Sequence, residues 1–194
     1  MTRKSTAERQ LEIEQAVLDL IATEGTHGLT MARIAGRIGV SEAALYRHFH
    51  GKLEIIYATI AISFDRVMER LTEAARGGDA TTRLHRVFIA HLQFIEDHPG
   101  MARILFSDDV HFNATQLQHE LNARIAKLLR FIGNLLSTGV QHGELRSDLD
   151  VEAAAALYLG LIQTQLLLWS VNEKTDRLMA RSEQLWALYV RVFR

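Results

Sequence analysis

Apolar side chains recur along this chain at the three- and four-residue spacing of a helix face, and the recurrence stops only at glycine, proline or short polar runs. That pattern leaves little room for a sheet. The first series, Ile13, Ala16, Val17, Leu20 and Ile21, predicts a helix over about residues 6–24, closed by Gly25 and Gly28. Thr30 suits the N-cap of a short second helix with Met31, Ile34, Ala35 and Ile38 on one face. Gly39-Val40 breaks it, and Ser41 can cap a short third helix ending near Phe49. A long fourth helix follows His50-Gly51, with Leu53, Ile56, Ile60, Val67 and Leu71 among its register positions, and stops at Arg76-Gly77-Gly78. Asp79 can cap a fifth, which carries Leu84, Phe88, His91 and Ile95 and ends at His98-Pro99-Gly100. A sixth around Met101–Phe106, a seventh with Leu117 to Leu135 inward, an eighth over about 151–171 and a ninth over about 176–193 complete the reading. No stretch shows sustained period-two alternation, internal repeat or low complexity. The expected class is all-α, with about nine helices.

At 194 residues, 48% hydrophobic and 23% charged, the chain can bury a real core and is unlike a disordered segment. Its lack of cysteine excludes disulfides, thiolate catalysis, zinc fingers and iron–sulfur clusters. Residues 153–171 carry no formal charge and imitate a membrane span in length, but Gln163, Thr164 and Gln165 sit at the centre. A helix buried on two sides, against its own core and against a partner, explains the run better. The expected location is cytoplasmic, with no membrane partner.

The net charge of −1 names no partner, whereas residues 33–52 hold Arg33, Arg37, Arg47 and Lys52 against Glu42 alone. A local excess of positive charge suits a phosphate-facing patch. It coincides with two short helices separated by a glycine turn, the layout of a DNA-binding helix-turn-helix whose second helix enters the major groove. Gly39 can take the positive φ of that turn, and Ile34, Ala35, Ile38, Val40 and Leu45 fill the small core shared with the first helix. Around Leu45 the wheel turns Ala43, Tyr46, Arg47 and His50 outward, residue types suited to phosphates and base edges.

Thr30, Ile34-Ala35, Gly39-Val40-Ser41, Leu45-Tyr46, His48-Phe49 and Lys52-Leu53 together resemble the motif of the TetR family of transcriptional repressors, without gaps over about residues 7–60. Residues 40–49 are also similar to the nucleoid-occlusion member of that family. The resemblance implies that Thr30 and Ser41 bind phosphates while capping their helices. It implies that Glu42, Ala43, Ala44 and Arg47 meet bases, and that Tyr46, His48 and Lys52 grip the backbone. Among the base-facing set Arg47 is the main hydrogen-bonding reader, since alanines offer only methyl contacts. It further implies a DNA-binding domain over residues 1–52, with the motif at about 30–49, and a ligand-binding and dimerisation domain over 53–194, the fourth helix connecting them.

Two stripes on the eighth helix exceed what one core can bury. Leu157, Leu161, Gln165 and Leu168 form one, and Tyr158, Ile162, Leu166 and Trp169 the other; the second, with Leu185 and Tyr189 of the ninth helix, is the expected homodimer interface on a palindromic operator. Phe88, His91, Leu92, Leu128, Leu161 and Gln165 are the expected walls of a pocket for a small apolar or amphipathic effector. The alternative for these walls is plain core packing. Nine histidines raise a metal site, with His91, His98, Asp108, Asp109, His111 and His119 as permissible ligands, but the spacing matches no metal motif and no cofactor is expected. Without a phosphate loop or a nucleophile elbow, the enzyme alternative reduces to a metal-dependent hydrolase on those histidines. The other alternative is a DNA-bound dimer acting through a protein partner. The favoured reading is a ligand-responsive, homodimeric, sequence-specific repressor and not an enzyme.

Overall fold

The computed structural model describes residues 6–105, 107, 115–171 and 178–193. The α-helices are α1 (Thr6–Glu24), α2 (Met31–Ile38), α3 (Glu42–Tyr46), α4 (Lys52–Ala74), α5 (Ala80–Asp97), α6 (Pro99–Leu105), α7 (Thr115–Gln141), α8 (Val151–Val171) and α9 (Ser182–Tyr189). Short 3-10 turns occupy Thr26–Gly28, Leu178–Arg181 and Val190–Val192, and no strand occurs among the described residues. The all-α expectation holds. Two boundaries differ from it. α3 stops at Tyr46, short of the expected Phe49, and the last expected helix is one α-helix between two 3-10 turns. At the other ends the punctuation residues act as read: Gly25 and Gly77 take positive φ, and Asp79 Oδ1 accepts from the Thr82 N–H at 2.7 Å to cap α5.

The chain divides into two compact units, Met1–Arg66 with His98–His119, and Val67–Asp97 with Glu120–Arg194. In the first, α1 buries Ile13, Ala16, Val17, Leu20 and Ile21, the stripe expected from its spacing. α6 returns from far along the chain to pack on α1. The approach is close enough that a Cβ on Gly100 would overlap the Leu18 carbonyl. α1 is also tied to α4. Glu14, 1% exposed, accepts from Ser63 Oγ at 2.5 Å and from the Arg66 guanidinium at 2.9 Å, so both oxygens of a buried carboxylate are satisfied.

The core of the second unit is built on α5, with Leu84, Val87, Phe88 and Leu92 fully buried, and on Ile132 and Leu136 of α7. Aromatic rings fill its centre. Tyr158 lies edge-on to Phe88 and Tyr189, and Trp186 packs against Phe88, Tyr189 and Phe193. The Tyr189 hydroxyl donates to the Ala154 carbonyl at 2.9 Å, which fixes the end of the chain to α8.

This arrangement turns most of the residues expected at a subunit interface inward. Tyr158, Ile162, Leu166 and Tyr189 are all buried within the protomer, with the Tyr158 and Tyr189 rings packed on each other. Trp169 and Leu185 are half-buried. The outward face belongs to Leu157, Leu167, Leu168 and Leu188, each between 44% and 60% exposed. α8 is long and apolar enough to cross a membrane by composition, yet only 28% of Val151–Trp169 is buried in the protomer.

Of the expected pocket walls, Phe88, His91, Leu92 and Leu128 are buried, and Leu161 and Gln165 are half-buried. His91 stacks on Tyr158, with Nδ1 3.1 Å from its hydroxyl. Burial pushes the imidazole down to about 4, and pushes the Tyr158 hydroxyl well above its ordinary range.

Two outcomes follow from this packing. Gly100→Ala should lower stability by about 1–3 kcal/mol in urea unfolding, since α6 must move off α1. His91 stays neutral in the fold, while in the unfolded chain it takes up a proton near its ordinary 6.5. The unfolded state therefore binds more protons between that value and about 4, and stability falls as pH drops through this window. The loss reaches roughly 3 kcal/mol at its lower end. His91→Phe, which cannot titrate, should lack this component when unfolding is compared at about pH 7 and about pH 4.5.

Candidate nucleic-acid interface

The segment from Thr30 to Lys52 is held by local devices at almost every joint. Thr30 Oγ1 accepts from the Arg33 N–H at 3.3 Å and caps α2, which buries Met31, Ile34 and Ala35. Gly39 ends α2 with φ 70° and ψ 36°, and the Val40 N–H reaches back to the Ala35 carbonyl at 3.0 Å. A Cβ on Gly39 would meet nothing within 4 Å, so the backbone angle alone demands glycine. Ser41 Oγ then accepts from the Ala44 N–H at 3.2 Å to start α3. Leu45, 2% exposed, is the one fully buried residue of that helix, while Ile38 and Val40 are half-buried beside it.

With Leu45 pinned inward, the remaining positions face out. Glu42, Ala43, Tyr46, Arg47 and His48 are exposed, as are Thr30 and Ser41, and Ala44 is half-buried. Arg47 sits at the C-cap with φ −70° and ψ −20°, and the His48 and Phe49 N–H groups both turn back to the Leu45 carbonyl, at 2.9 and 3.0 Å. The Arg47 guanidinium makes no hydrogen bond or ion pair among the described residues. Lys52 is half-buried, and its ammonium donates to the Thr26 carbonyl at 3.0 Å, fastening the start of α4 to the turn after α1. Glu54 accepts from the His50 N–H at 2.5 Å at the same helix start.

The charge balance of the segment differs from its linear count. Arg33 pairs with both carboxylate oxygens of Glu24 and donates to the Gly28 carbonyl at 3.0 Å. Arg37 donates to Asp19 at 3.0 Å. Hydrogen bonding to Arg33 holds the Glu24 carboxyl below the usual carboxylate range. Two of the four cations counted between residues 33 and 52 are thus met by carboxylates of α1, which lies outside that window. The i, i+4 spacing of Arg33 and Arg37 signalled that they share one side of α2; nothing in the sequence signalled what they would meet there. Of the residues raised as metal ligands, His91 lies in the second unit's core, His98 is half-buried and His119 is exposed. Asp108, Asp109 and His111 lie outside the described residues. Among the described residues no group of three or more histidines and carboxylates could hold a metal ion.

Because α3 has only five residues, its cap carries an unusual share of its stability. Ser41→Ala should cost about 1 kcal/mol in urea unfolding, and Ser41→Gly only a few tenths.

The tetR family profile of bacterial regulatory proteins matches residues 13–59, and that of the YsiA-like protein C-terminal region matches residues 62–192. The chain is 32% identical over 164 residues to the nucleoid occlusion factor SlmA of Photobacterium profundum, covering 81% of this chain and 82% of that one. It is 24% identical over 183 residues to the fatty acid metabolism regulator protein of Bacillus subtilis, covering 94% of each. Among solved structures, the transcriptional regulator FadR from Bacillus subtilis, in complex with stearoyl-CoA, superposes with a TM-score of 0.83 at 24% identity over 95% of this chain and 99% of that one. The fatty acid degradation regulator FadR from Bacillus halodurans has the same TM-score at 18% identity, covering 97% and 96%. A family profile over each part of the chain, on the fold and the helix-turn-helix described above, places it plainly: the protein belongs to the TetR family of bacterial regulatory proteins, all-α regulators of transcription that bind DNA and a ligand.

Proposed function

We propose that this regulator is a homodimeric, ligand-responsive repressor that reads a palindromic operator with α3. The observation that carries the reading is the outward side of α3 and its end: Tyr46, Arg47 and His48 stand exposed at and just past the last turn of a helix whose only deep anchor is Leu45. Arg47 is assigned to a base edge. Thr30, Ser41, Tyr46, His48 and Lys52 are assigned to phosphates, with Glu42, Ala43 and Ala44 at the base-facing start of the helix. The exposed leucines of α8 and α9 support the dimer, since an apolar face of this kind calls for a second copy, and two-fold pairing matches a palindrome.

For the effector, the support comes from the relatives that regulate fatty acid metabolism and from the solved complex with stearoyl-CoA. A long-chain acyl thioester falls in the apolar or amphipathic class expected for a pocket at Phe88, Leu92, Leu128 and Leu161, with His91 and Gln165 as the polar groups that orient it. α4 carries the response along the chain, because it begins at Lys52 beside the reading segment and ends at Ala74 in the second unit. Its setting is biased by the ligand's differential affinity for the two states.

A second reading, a DNA-bound dimer that acts on a protein partner, is favoured by the 32% identity to a nucleoid occlusion factor. One experiment separates the two. Duplexes are selected from a random pool on the purified chain, and the recovered site is titrated with stearoyl-CoA. The repressor reading expects acyl-CoA to weaken operator binding, and operator to weaken acyl-CoA binding by the same factor. No response, with recovered sites scattered across the chromosome and away from promoters, favours the partner reading. Arg47→Ala should cost about 1–3 kcal/mol on the selected site and relax one base step. Lys52→Ala should weaken all sequences alike and flatten the salt slope by about 0.9. An unchanged selected motif with Arg47→Ala would remove Arg47 as base reader, and a monomer in light scattering would remove the palindrome.

A further inference from the structure

The reading assigned to α3 leaves Arg33 and Arg37 unused. They stand one turn apart on α2, with side chains 42% and 56% exposed, so solvent and large ligands can reach both. In a helix-turn-helix the first helix crosses the phosphate backbone while the second enters the groove, which brings α2 against the phosphates as well. A guanidinium there binds a phosphate through two parallel N–H bonds. Both arginines instead face carboxylates of α1. Glu24 presents two oxygens to Arg33, as a phosphate would, and Asp19 presents one to Arg37 at 3.0 Å. The Gly28 carbonyl takes a further Arg33 N–H at 3.0 Å.

We propose that Arg33 and Arg37 form a second phosphate-binding site on α2, held off the DNA backbone by Glu24 and Asp19 acting as built-in phosphate mimics. The consequence is a weaker sequence-independent grip. Affinity for DNA of arbitrary sequence scales with the number of phosphates neutralised, whereas discrimination comes from base contacts such as those assigned to Arg47. Masking two cations lowers the sequence-independent part of the affinity without touching the base reader. These are surface ion pairs, worth little to stability, so their removal leaves the fold intact.

The inference rests on DNA binding by the family and is tested with the full-length chain on a duplex of random sequence between about 50 and 200 mM salt. Asp19→Asn with Glu24→Gln should tighten binding at the lower salt and steepen the log–log salt slope by about 0.9 for each arginine released. Asp19→Asn alone, which takes away the charge facing Arg37 and keeps an amide oxygen for Gln15, should give about half that change. Adding Arg33→Gln and Arg37→Gln to the double variant should return the slope to that of the wild type. Glu8→Gln, which takes one charge from the far end of α1, should leave it unmoved. The proposal is overturned by an unchanged slope in the double variant, or by a Glu8→Gln shift equal to that of Asp19→Asn. A fourfold variant shallower than wild type also overturns it, because the arginines would then already contact phosphate. Failure of the wild-type chain to bind any duplex would instead overturn the DNA-binding function itself; binding with an unmoved slope overturns the masking alone.

Discussion

A helix of five residues cannot hold itself together in water, because the cost of nucleation is spread over too few hydrogen bonds. α3 is such a helix, and it carries Glu42, Ala43 and Ala44 and holds Arg47 at its C-cap, the residues assigned to the bases. Its conformation is therefore supplied by its neighbours. The left-handed Gly39 sets the direction of the chain, Ser41 satisfies the Ala44 N–H of the first turn, and Leu45 fixes the rotation by entering the core. The side chains that face outward do so because one side chain faces inward.

The same dependence extends outward through the first unit. Leu45 finds a core because α1 and α2 bury their own stripes beneath it, and α1 is held in turn by α6 on one side and α4 on another. The α1–α4 tie is a buried carboxylate, and removing either partner would leave charge or hydroxyl unsatisfied in the interior. An ionic link of this kind constrains geometry more sharply than an apolar contact, since it tolerates little displacement. It also places the start of α4 under a second constraint, the Lys52 bond to the Thr26 carbonyl. Lys52 thus has a structural task alongside any phosphate it meets.

The second unit poses the opposite problem. α8 is apolar around most of its circumference, so its pattern is compatible with more than one rotation. The ambiguity is settled by the aromatic rings of α5 and the chain end. Phe88, Trp186, Tyr189 and Phe193 leave a space that Tyr158 fills, and this turns Ile162 and Leu166 inward with it. The leucines at 157, 167 and 168 are left outside by the same rotation. His91 is caught in this packing and remains neutral because burial penalises its charged form.

Much of this protein was legible without coordinates, and the legible part is local. Helix periodicity, the caps at Thr30, Ser41 and Asp79 and the left-handed Gly39 each depend on residues within a few positions of one another. The spacing of apolar residues also determined the all-α class, and the reading motif was visible as one unbroken stretch. What the sequence could not determine involves partners far apart along the chain. Arg33 meets Glu24 nine residues away, Arg37 meets Asp19 at 18, Lys52 meets Thr26 at 26, and Glu14 meets Ser63 and Arg66 at 49 and 52. Those pairings decided which cations of the reading segment are already neutralised. The rotation of α8 was undecided for a related reason: an apolar face seeks any apolar cover, and hydrophobic attraction has no direction. Only the shape of the space left by the other aromatic rings, a property of the packed chain, selected the face that went inside.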